Sequence, residues 1–195
     1  MVRGSKFDPA EFTSAALLLL SEGGPSAVTM QAIARRSGAP TGSIYHRFPS
    51  RSAVVAAAWL EALAAFAGHV ETAMNTAPPA AAAALIAWAR AHSREARALF
   101  LNEPASLFDT APPDDLSAAI RAQEARIERA FQPGATNAAN AEAFARLRFA
   151  IVDGPIALVR PYLLSGEPIP AFIDAVAADL GRLAAPADPL PQAAE

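Results

Sequence analysis

The chain has 195 residues, of which 53% are hydrophobic and 18% charged, and this composition excludes a disordered chain and allows a substantial hydrophobic core. It contains no cysteine, which excludes disulfides and thiolate metal sites. The formal net charge is −3, yet residues 1–51 carry +3 and the remainder −6. This charge asymmetry is typical of a small cationic nucleic-acid-binding domain joined to a separate effector domain.

Neither a membrane span nor a signal peptide is expected. No apolar run approaches the roughly 20 residues that a span requires, and the N-terminus lacks an apolar segment followed by a cleavage site. We therefore expect a cytoplasmic protein that does not contact a membrane.

The first predicted helix covers residues 8–22. Asp8 is its N-cap, Pro9 its first helical residue and Glu11 the third-position partner of a capping box, while Gly23-Gly24 should end it. Phe7 and Phe12 have the spacing of a hydrophobic staple. This helix is expected to be scaffold, with a buried stripe of Phe12, Ala16, Leu19 and Leu20.

Residues 28–51, VTMQAIARRSGAPTGSIYHRFPSR, predict two short helices joined by a tight turn. Thr29 is a good N-cap, Gly38 suits a left-handed helix end, and Pro40 suits the first turn of the next helix. Ile44 and Phe48 lie four apart and should share the inward face. The outward face is short, polar, aromatic and cationic, which suits a DNA groove, although two helices that merely pack together would show the same pattern. Its residues are Thr41, Gly42, Ser43, Tyr45, His46 and Arg47.

The rest of the chain has helical periodicity and no alternating strand pattern. Ser50 should cap a long helix from Arg51 to about Asn75, and Pro78-Pro79 should end it. The apolar face of that helix comprises Val54, Val55, Trp59, Leu63 and Phe66. Further helices are predicted near 79–93, 94–103, 114–132, 138–164 and 169–184. The predicted domains are a helix–turn–helix at 1–50, a helical domain at 51–185 and a flexible tail at 186–195.

Asp153-Gly154-Pro155 lies inside the predicted helix 138–164 and should kink it, because proline removes a backbone hydrogen bond and clashes one turn back. The bend could open room for a ligand, or it could simply be absorbed by local packing. The pattern favours neither.

An enzyme is not expected. His46, His69 and His92 are scattered, and no metal-binding or phosphate-binding motif spacing occurs. Without a cysteine or a carboxylate–histidine cluster, no nucleophile or metal site can be assembled. We expect no cofactor and no metal.

The segment AIARRSGAPTGSIYHRFPSR resembles the signature of TetR-family transcriptional repressors, over about residues 8–60. The resemblance implies an all-α fold, in which a three-helix DNA-binding domain is joined by a long helix to a C-terminal ligand-binding and dimerisation domain. Thr29, Tyr45 and His46 would then contact phosphates, and Arg51 would hold the DNA backbone. An anion near Arg51 is also suggested by its position, because a cation at a helix N-terminus opposes the macrodipole. The full implied DNA-binding set is Thr29, Ala39, Pro40, Thr41, Gly42, Ser43, Tyr45, His46, Arg47 and Arg51.

Two further sets of residues follow from the C-terminal helices. Apolar stripes on the last two helices predict a partner surface, and the resemblance implies a homodimer there, through Leu158, Tyr162, Phe172, Val176, Leu180 and Leu183. A small hydrophobic effector would bind in an apolar pocket, although aromatic residues at helical spacing are more often plain core. The pocket candidates are Trp88, Phe100, Phe108, Phe149 and Asp153.

The predicted function is therefore a ligand-responsive repressor that binds a double-stranded DNA operator as a homodimer. The alternatives are a helical dimerising module that does not bind specific DNA and, less favoured, an all-α enzyme.

Overall fold

A computed structural model describes residues 7–131 and 138–184. Within those ranges the regular elements are all helical and no strand occurs, which confirms the predicted all-α class. The predicted tail at 186–195 lies outside the described residues. The helices are α1 (Pro9–Ala27), α2 (Met30–Ser37), α3 (Thr41–Tyr45), α4 (Arg51–Ala73), α5 (Pro78–Ala91), α6 (Ser93–Leu101), α7 (Pro104–Leu107), α8 (Asp114–Ala130), α9 (Ala138–Arg148), a π-helical turn (Phe149–Asp153), α10 (Gly154–Ser165) and α11 (Phe172–Arg182).

The chain divides into two compact units. Unit 1 comprises Met1–Gly68 and His92–Arg126, and unit 2 comprises His69–Ala91 and Ile127–Glu195. The division follows backbone proximity, so α6 and most of α8 belong with the helix–turn–helix. The boundary expected at residue 50, between a DNA-binding domain and a helical effector domain, remains a prediction.

The start of α1 in unit 1 forms as predicted. The Asp8 carboxylate accepts a hydrogen bond from the backbone N–H of Ala10 at 3.1 Å, and the Asp8 N–H donates to the Glu11 carboxylate at 3.1 Å. The two reciprocal bonds satisfy backbone donors that a helix start leaves unpaired. Of the predicted buried stripe, Phe12, Ala16 and Leu20 are buried and Leu19 is half-buried, while Leu17, which was not predicted, is also buried.

Helix α1 is interrupted by glycine, as expected, and a short helical turn follows the interruption. Gly24 has φ +69°, a left-handed conformation that interrupts the helix, and glycine adopts it without the steric cost of a Cβ. One further helical turn follows, up to Ala27. The regular part of α1 therefore ends at Gly23, within one residue of the predicted end, and residues 25–27 form a separate turn beyond the kink.

The helix–turn–helix is built from local capping. The Thr29 hydroxyl accepts from the Ala32 N–H at 3.0 Å and starts α2. Gly38 ends α2 in the left-handed conformation, with φ +69°, where glycine is favoured. Pro40 occupies the N-cap of α3, one position before the predicted first turn.

Helix α4 begins at Arg51, where the Ser50 hydroxyl accepts from the Ala53 N–H at 3.1 Å. Its five predicted apolar residues, Val54 to Phe66, are all buried. By length and composition alone this helix could cross a membrane, a feature that the sequence expectation missed, but 61% of its most apolar window is buried inside the protein. Such burial is typical of the core helix of a soluble protein.

Unit 2 is organised around α5 and α11. Pro78 and Pro79 were predicted to end α4. Instead they form the first turn of α5, a position where the missing N–H of proline costs nothing. A Cβ on Gly181 of α11 would lie 2.5 Å from the Pro78 carbonyl oxygen and 2.5 Å from the Pro79 Cα. The absence of a side chain at residue 181 therefore lets the two backbones approach each other.

Arg90 of α5 fixes the other end of α11. Its guanidinium donates to both Asp174 carboxylate oxygens, at 2.7 and 3.0 Å, and to the carbonyl oxygens of Ile169 and Pro170. All three nitrogens of the planar guanidinium are used, Nη1 for the carboxylate and Nε and Nη2 for the two carbonyls.

The irregularity predicted at Asp153-Gly154-Pro155 takes the form of a π-helical turn that ends at Asp153. The Gly154 N–H donates to the carbonyl of Phe149, five residues back, so the turn is widened instead of broken. Asp153 is exposed and pairs with Arg148 at 3.4 Å, and Arg148 also pairs with Glu128 at 2.6 Å.

Candidate nucleic-acid interface

Helix α3 separates an inward from an outward face, as the sequence predicts. Ile44 is fully buried, and the ring of Phe48 packs edge-on against Phe12 with the centroids 6.5 Å apart. Fixing α3 through its apolar side leaves the opposite side in solvent. That outward side contains the exposed residues Gly42, Tyr45, His46 and Arg47 and the half-buried residues Thr41 and Ser43.

Several features of this face suit close approach of a polyanion. Tyr45 is 52% exposed, which is unusual for a large aromatic side chain. A Cβ added to Gly42 would meet nothing within 4 Å, so the space beside its backbone is open. Backbone approach to a ligand is a common reason for glycine at an exposed helix position.

Pro40 and Ala39, two neighbouring residues of the implied DNA-binding set, differ in solvent exposure. Pro40 is exposed, whereas Ala39 is only 6% exposed and belongs to the core. The Ala39 side chain therefore faces the interior, contrary to its place in the implied set. The Thr29 hydroxyl oxygen caps α2, but its O–H remains able to donate to a phosphate oxygen.

Arg51 is placed differently from what the resemblance implies. Its side chain is only 17% exposed, and its guanidinium donates to the carbonyl oxygens of Pro25, Val28 and Leu107 and to the Asp109 carboxylate. The anion suggested by the helix dipole is therefore Asp109 of the chain itself, at 2.9 Å. A phosphate contact by Arg51 would require breaking these bonds.

A cation that the sequence interpretation omitted lies on α2. Gln31 and Arg35 are both exposed and four residues apart, so they share one face of that helix. In helix–turn–helix proteins the first helix of the pair crosses the DNA backbone. Within residues 7–131 and 138–184 neither Arg35 nor Arg47 forms an ion pair, whereas Arg36 pairs with Glu22. The outward position of residue 35 would have been recognised had the buried residues Ile33 and Ala34 been used to orient α2.

The five predicted effector-binding residues fall into different environments. Phe100 of unit 1 is buried edge-on against Phe66, with centroids 5.3 Å apart, and Phe108 is half-buried in the same unit. In unit 2, Trp88 is buried beside His69. Phe149, by contrast, is 53% exposed and, unlike Asp153, lines an open apolar pocket.

All six residues of the predicted dimer interface are at least partly exposed. Phe172, Val176 and Leu183 are exposed by 61%, 37% and 59% of their surface, and Leu158, Tyr162 and Leu180 are half-buried. Leu164, 63% exposed, was missed because it lies outside the predicted stripe. In the part of the chain that the structure describes, no group of three or more His, Asp or Glu residues could hold a metal.

Comparison with known proteins is consistent with this geometry. Residues 12–58 match the family model described as bacterial regulatory proteins, tetR family, a range that contains α2 and α3 with most of α1 and the start of α4. No curated protein sequence gives a match.

Solved structures match the fold over most of the chain. They include the transcriptional regulator FadR from Bacillus subtilis in complex with stearoyl-CoA (TM-score 0.63, 14% identity, 91% of this chain and 97% of that one). The fatty acid degradation regulator FadR from Bacillus halodurans is similar (0.60, 13%, 91% and 97%), as is a putative tetR family regulator from Shewanella sp. PV-4 (0.61, 16%, 89% and 95%). Identities this low establish the shared fold alone. The N-terminal segment therefore matches the tetR family of bacterial regulatory proteins over residues 12–58, and the chain shares its fold with transcriptional regulators that include a putative member of that family.

Proposed function

We propose that the protein is a cytoplasmic, ligand-responsive repressor that binds a pseudo-palindromic operator as a homodimer. The observation that carries the proposal is the outward face of α3, where Tyr45, His46 and Arg47 are exposed around an open glycine while Ile44 and Phe48 fix the helix to the core. A face of this composition on the second helix of a helix–turn–helix is suited to the major groove.

The chemistry of that face favours positioning on the DNA backbone over direct base recognition. Hydroxyl and phenol groups with one arginine can contact phosphates. Thr41, Gly42 and Ser43 have no side chain able to form the bidentate contacts of Arg, Asn or Gln with a base. Specificity would then depend largely on DNA shape and on apolar contacts with thymine methyl groups.

A second copy of the chain would cover the apolar face of α11. Phe172, Val176 and Leu183 lie within a narrow arc of the helix, at i, i+4 and i+11, and all three are exposed. An apolar surface of this kind is normally covered by a partner. A two-fold symmetric dimer would also place its two copies of α3 at the two half-sites of the operator.

The proposed effector is a hydrophobic or amphipathic small molecule. An open pocket of about 450 Å³ is lined by the apolar side chains of Ala145, Phe149, Ala150 and Leu183, with Glu142 and Arg146 at its edge. The FadR regulator of similar fold was solved with stearoyl-CoA bound. An effector relieves repression only if it binds the DNA-incompetent state more tightly than the DNA-bound state.

The proposal is tested by fluorescence anisotropy with duplexes from the region upstream of the protein's own gene. We expect binding at least about a thousandfold tighter than to a scrambled duplex of equal composition, with an affinity that falls steeply as salt rises. Tyr45→Ala should weaken specific binding, and Tyr45→Phe separates the contribution of the ring from that of the hydroxyl.

Equal affinity for the two duplexes would contradict an operator-specific repressor. Failure to bind either duplex, with an intact dimer, would favour the dimerising module instead. In parallel, a hydrophobic effector should raise the thermal midpoint and lower DNA affinity. A compound that raises the midpoint without changing DNA affinity would contradict its assignment as an effector.

A further inference from the structure

Arg51 joins three segments of unit 1 that are distant in sequence. Its Nε–H donates to the Val28 carbonyl at 2.6 Å, and its Nη2 donates to the Pro25 carbonyl. These carbonyls lie at the end of α1 and immediately before the cap of α2. Its Nη1 donates to the Leu107 carbonyl at 3.0 Å and to the Asp109 carboxylate at 2.9 Å. The guanidinium therefore binds backbone carbonyls at the junction between α1 and α2, of which that of Pro25 also accepts from the Val28 N–H at 3.2 Å.

The segment that contains Asp109 is itself attached to the first turn of α4. Leu107 is fully buried. The hydroxyl of Ser52, only 1% exposed, accepts from both the backbone N–H and the hydroxyl of Thr110, each at 3.3 Å. Residues 107–110 thus contact α4 through two consecutive residues, Arg51 and Ser52.

We propose that Arg51 is a positioning residue for DNA binding and not a phosphate contact, that Asp109 holds its side chain, and that Thr110 attaches the Asp109 segment to α4 through Ser52. This inference rests on the proposed function of DNA binding. The planar fork of arginine supplies donors in several directions at once, which the single ammonium of lysine cannot reproduce. By fixing the junction between α1 and α2 to α4, Arg51 sets the position at which α2 and α3 are presented.

The two roles of Arg51 predict different affinities for Arg51→Lys, which conserves the charge, and different effects of removing Asp109. If Arg51 contacts a phosphate, lysine can replace it. Removing that contact makes the negative slope of log affinity against log salt shallower by about one. A positioning residue does not tolerate lysine, and its loss lowers affinity without changing the slope. Removing Asp109 distinguishes them further, since deleting an anion near DNA strengthens a purely electrostatic interaction.

The experiment measures operator affinity between low and high salt for Arg51→Lys, Asp109→Ala and Asp109→Glu in the full chain. We expect Arg51→Lys to bind about tenfold or more weakly, as for loss of a charge-assisted hydrogen bond, whereas a phosphate contact would keep nearly wild-type affinity in this variant. Asp109→Ala should weaken binding severalfold, and Asp109→Glu should restore part of it. The matched control is Glu103→Ala, which removes an exposed anion from the same part of unit 1 and should leave affinity equal or slightly higher.

Hydrogen exchange in the DNA-free protein provides an independent measurement. Asp109→Ala should accelerate exchange of the amides of residues 28–32, whereas Glu103→Ala should not. Wild-type affinity for Arg51→Lys, or equal effects of Asp109→Ala and Glu103→Ala on both affinity and exchange, would overturn the inference. If the wild-type chain bound no DNA, the proposed function would fail, and the exchange data would still show whether Asp109 fixes the junction.

Discussion

Gly181→Ala in α11 tests how closely α5 and α11 must approach each other. The added methyl would lie 2.5 Å from the Pro78 carbonyl oxygen and 2.5 Å from the Pro79 Cα, about 1 Å less than ordinary van der Waals contact. These are backbone atoms, so no rotamer change relieves the clash and the helices must separate. Overpacking of this kind costs about 1–3 kcal/mol. The higher helix propensity of alanine offsets roughly 1 kcal/mol of that cost.

Gly68→Ala in α4 is the matched control, because it makes the same substitution in a helix without a clash. The new methyl would lie 3.8 Å from the Arg126 Nη2, an ordinary contact. Alanine should therefore stabilise this position by about 0.5–1 kcal/mol. The two variants should differ in free energy of unfolding by about 1–3 kcal/mol, with Gly181→Ala the less stable.

The measurement is urea unfolding followed by circular dichroism, at one fixed protein concentration because association with a second copy would add to stability. The midpoint should fall for Gly181→Ala and rise for Gly68→Ala, with similar slopes. If both substitutions raised the midpoint equally, the close approach of α11 to the first turn of α5 would be refuted.

Three further outcomes are expected. Ile44→Ala should cost about 2–4 kcal/mol in unfolding free energy, because it empties a fully buried site under α3; a cost near zero would contradict the inward orientation of Ile44. Phe172→Arg should shift the chain toward monomer in sedimentation while Ala141→Arg, exposed on α9, should not; equal sedimentation of both variants would place the dimer contact elsewhere. Arg90→Lys should accelerate hydrogen exchange in residues 169–175, since lysine cannot maintain the bonds to Asp174 and two carbonyls together, and unchanged exchange would show that those bonds are dispensable.

Features of the fold set by local chemistry could be predicted from the sequence. The caps at Asp8, Thr29 and Ser50 and the left-handed end at Gly38 each depend on neighbours within three residues or on the backbone of one residue. The inward positions of Ile44 and Phe48 follow from helical spacing alone. These rules also produced the errors at Pro78-Pro79, since a proline pair is equally compatible with the end of one helix and the first turn of the next.

Features set by tertiary contacts could not be predicted. The partners of Arg51 lie 23 to 58 residues away in sequence, so its sequestration is invisible to a local pattern. Periodicity identifies apolar residues but does not say what covers them. It grouped the buried Trp88 and Phe100 with the exposed Phe149 as effector candidates.

The central claim, that the outward face of α3 contacts DNA, is tested most directly by the salt dependence of operator binding for Arg47→Ala. We predict weaker binding and a salt slope lower by about one than in the wild type. The control Arg121→Ala, which removes an exposed cation from α8, should leave both quantities unchanged. Equal slopes for Arg47→Ala, Arg121→Ala and the wild type, with Tyr45→Ala also binding normally, would contradict the claim.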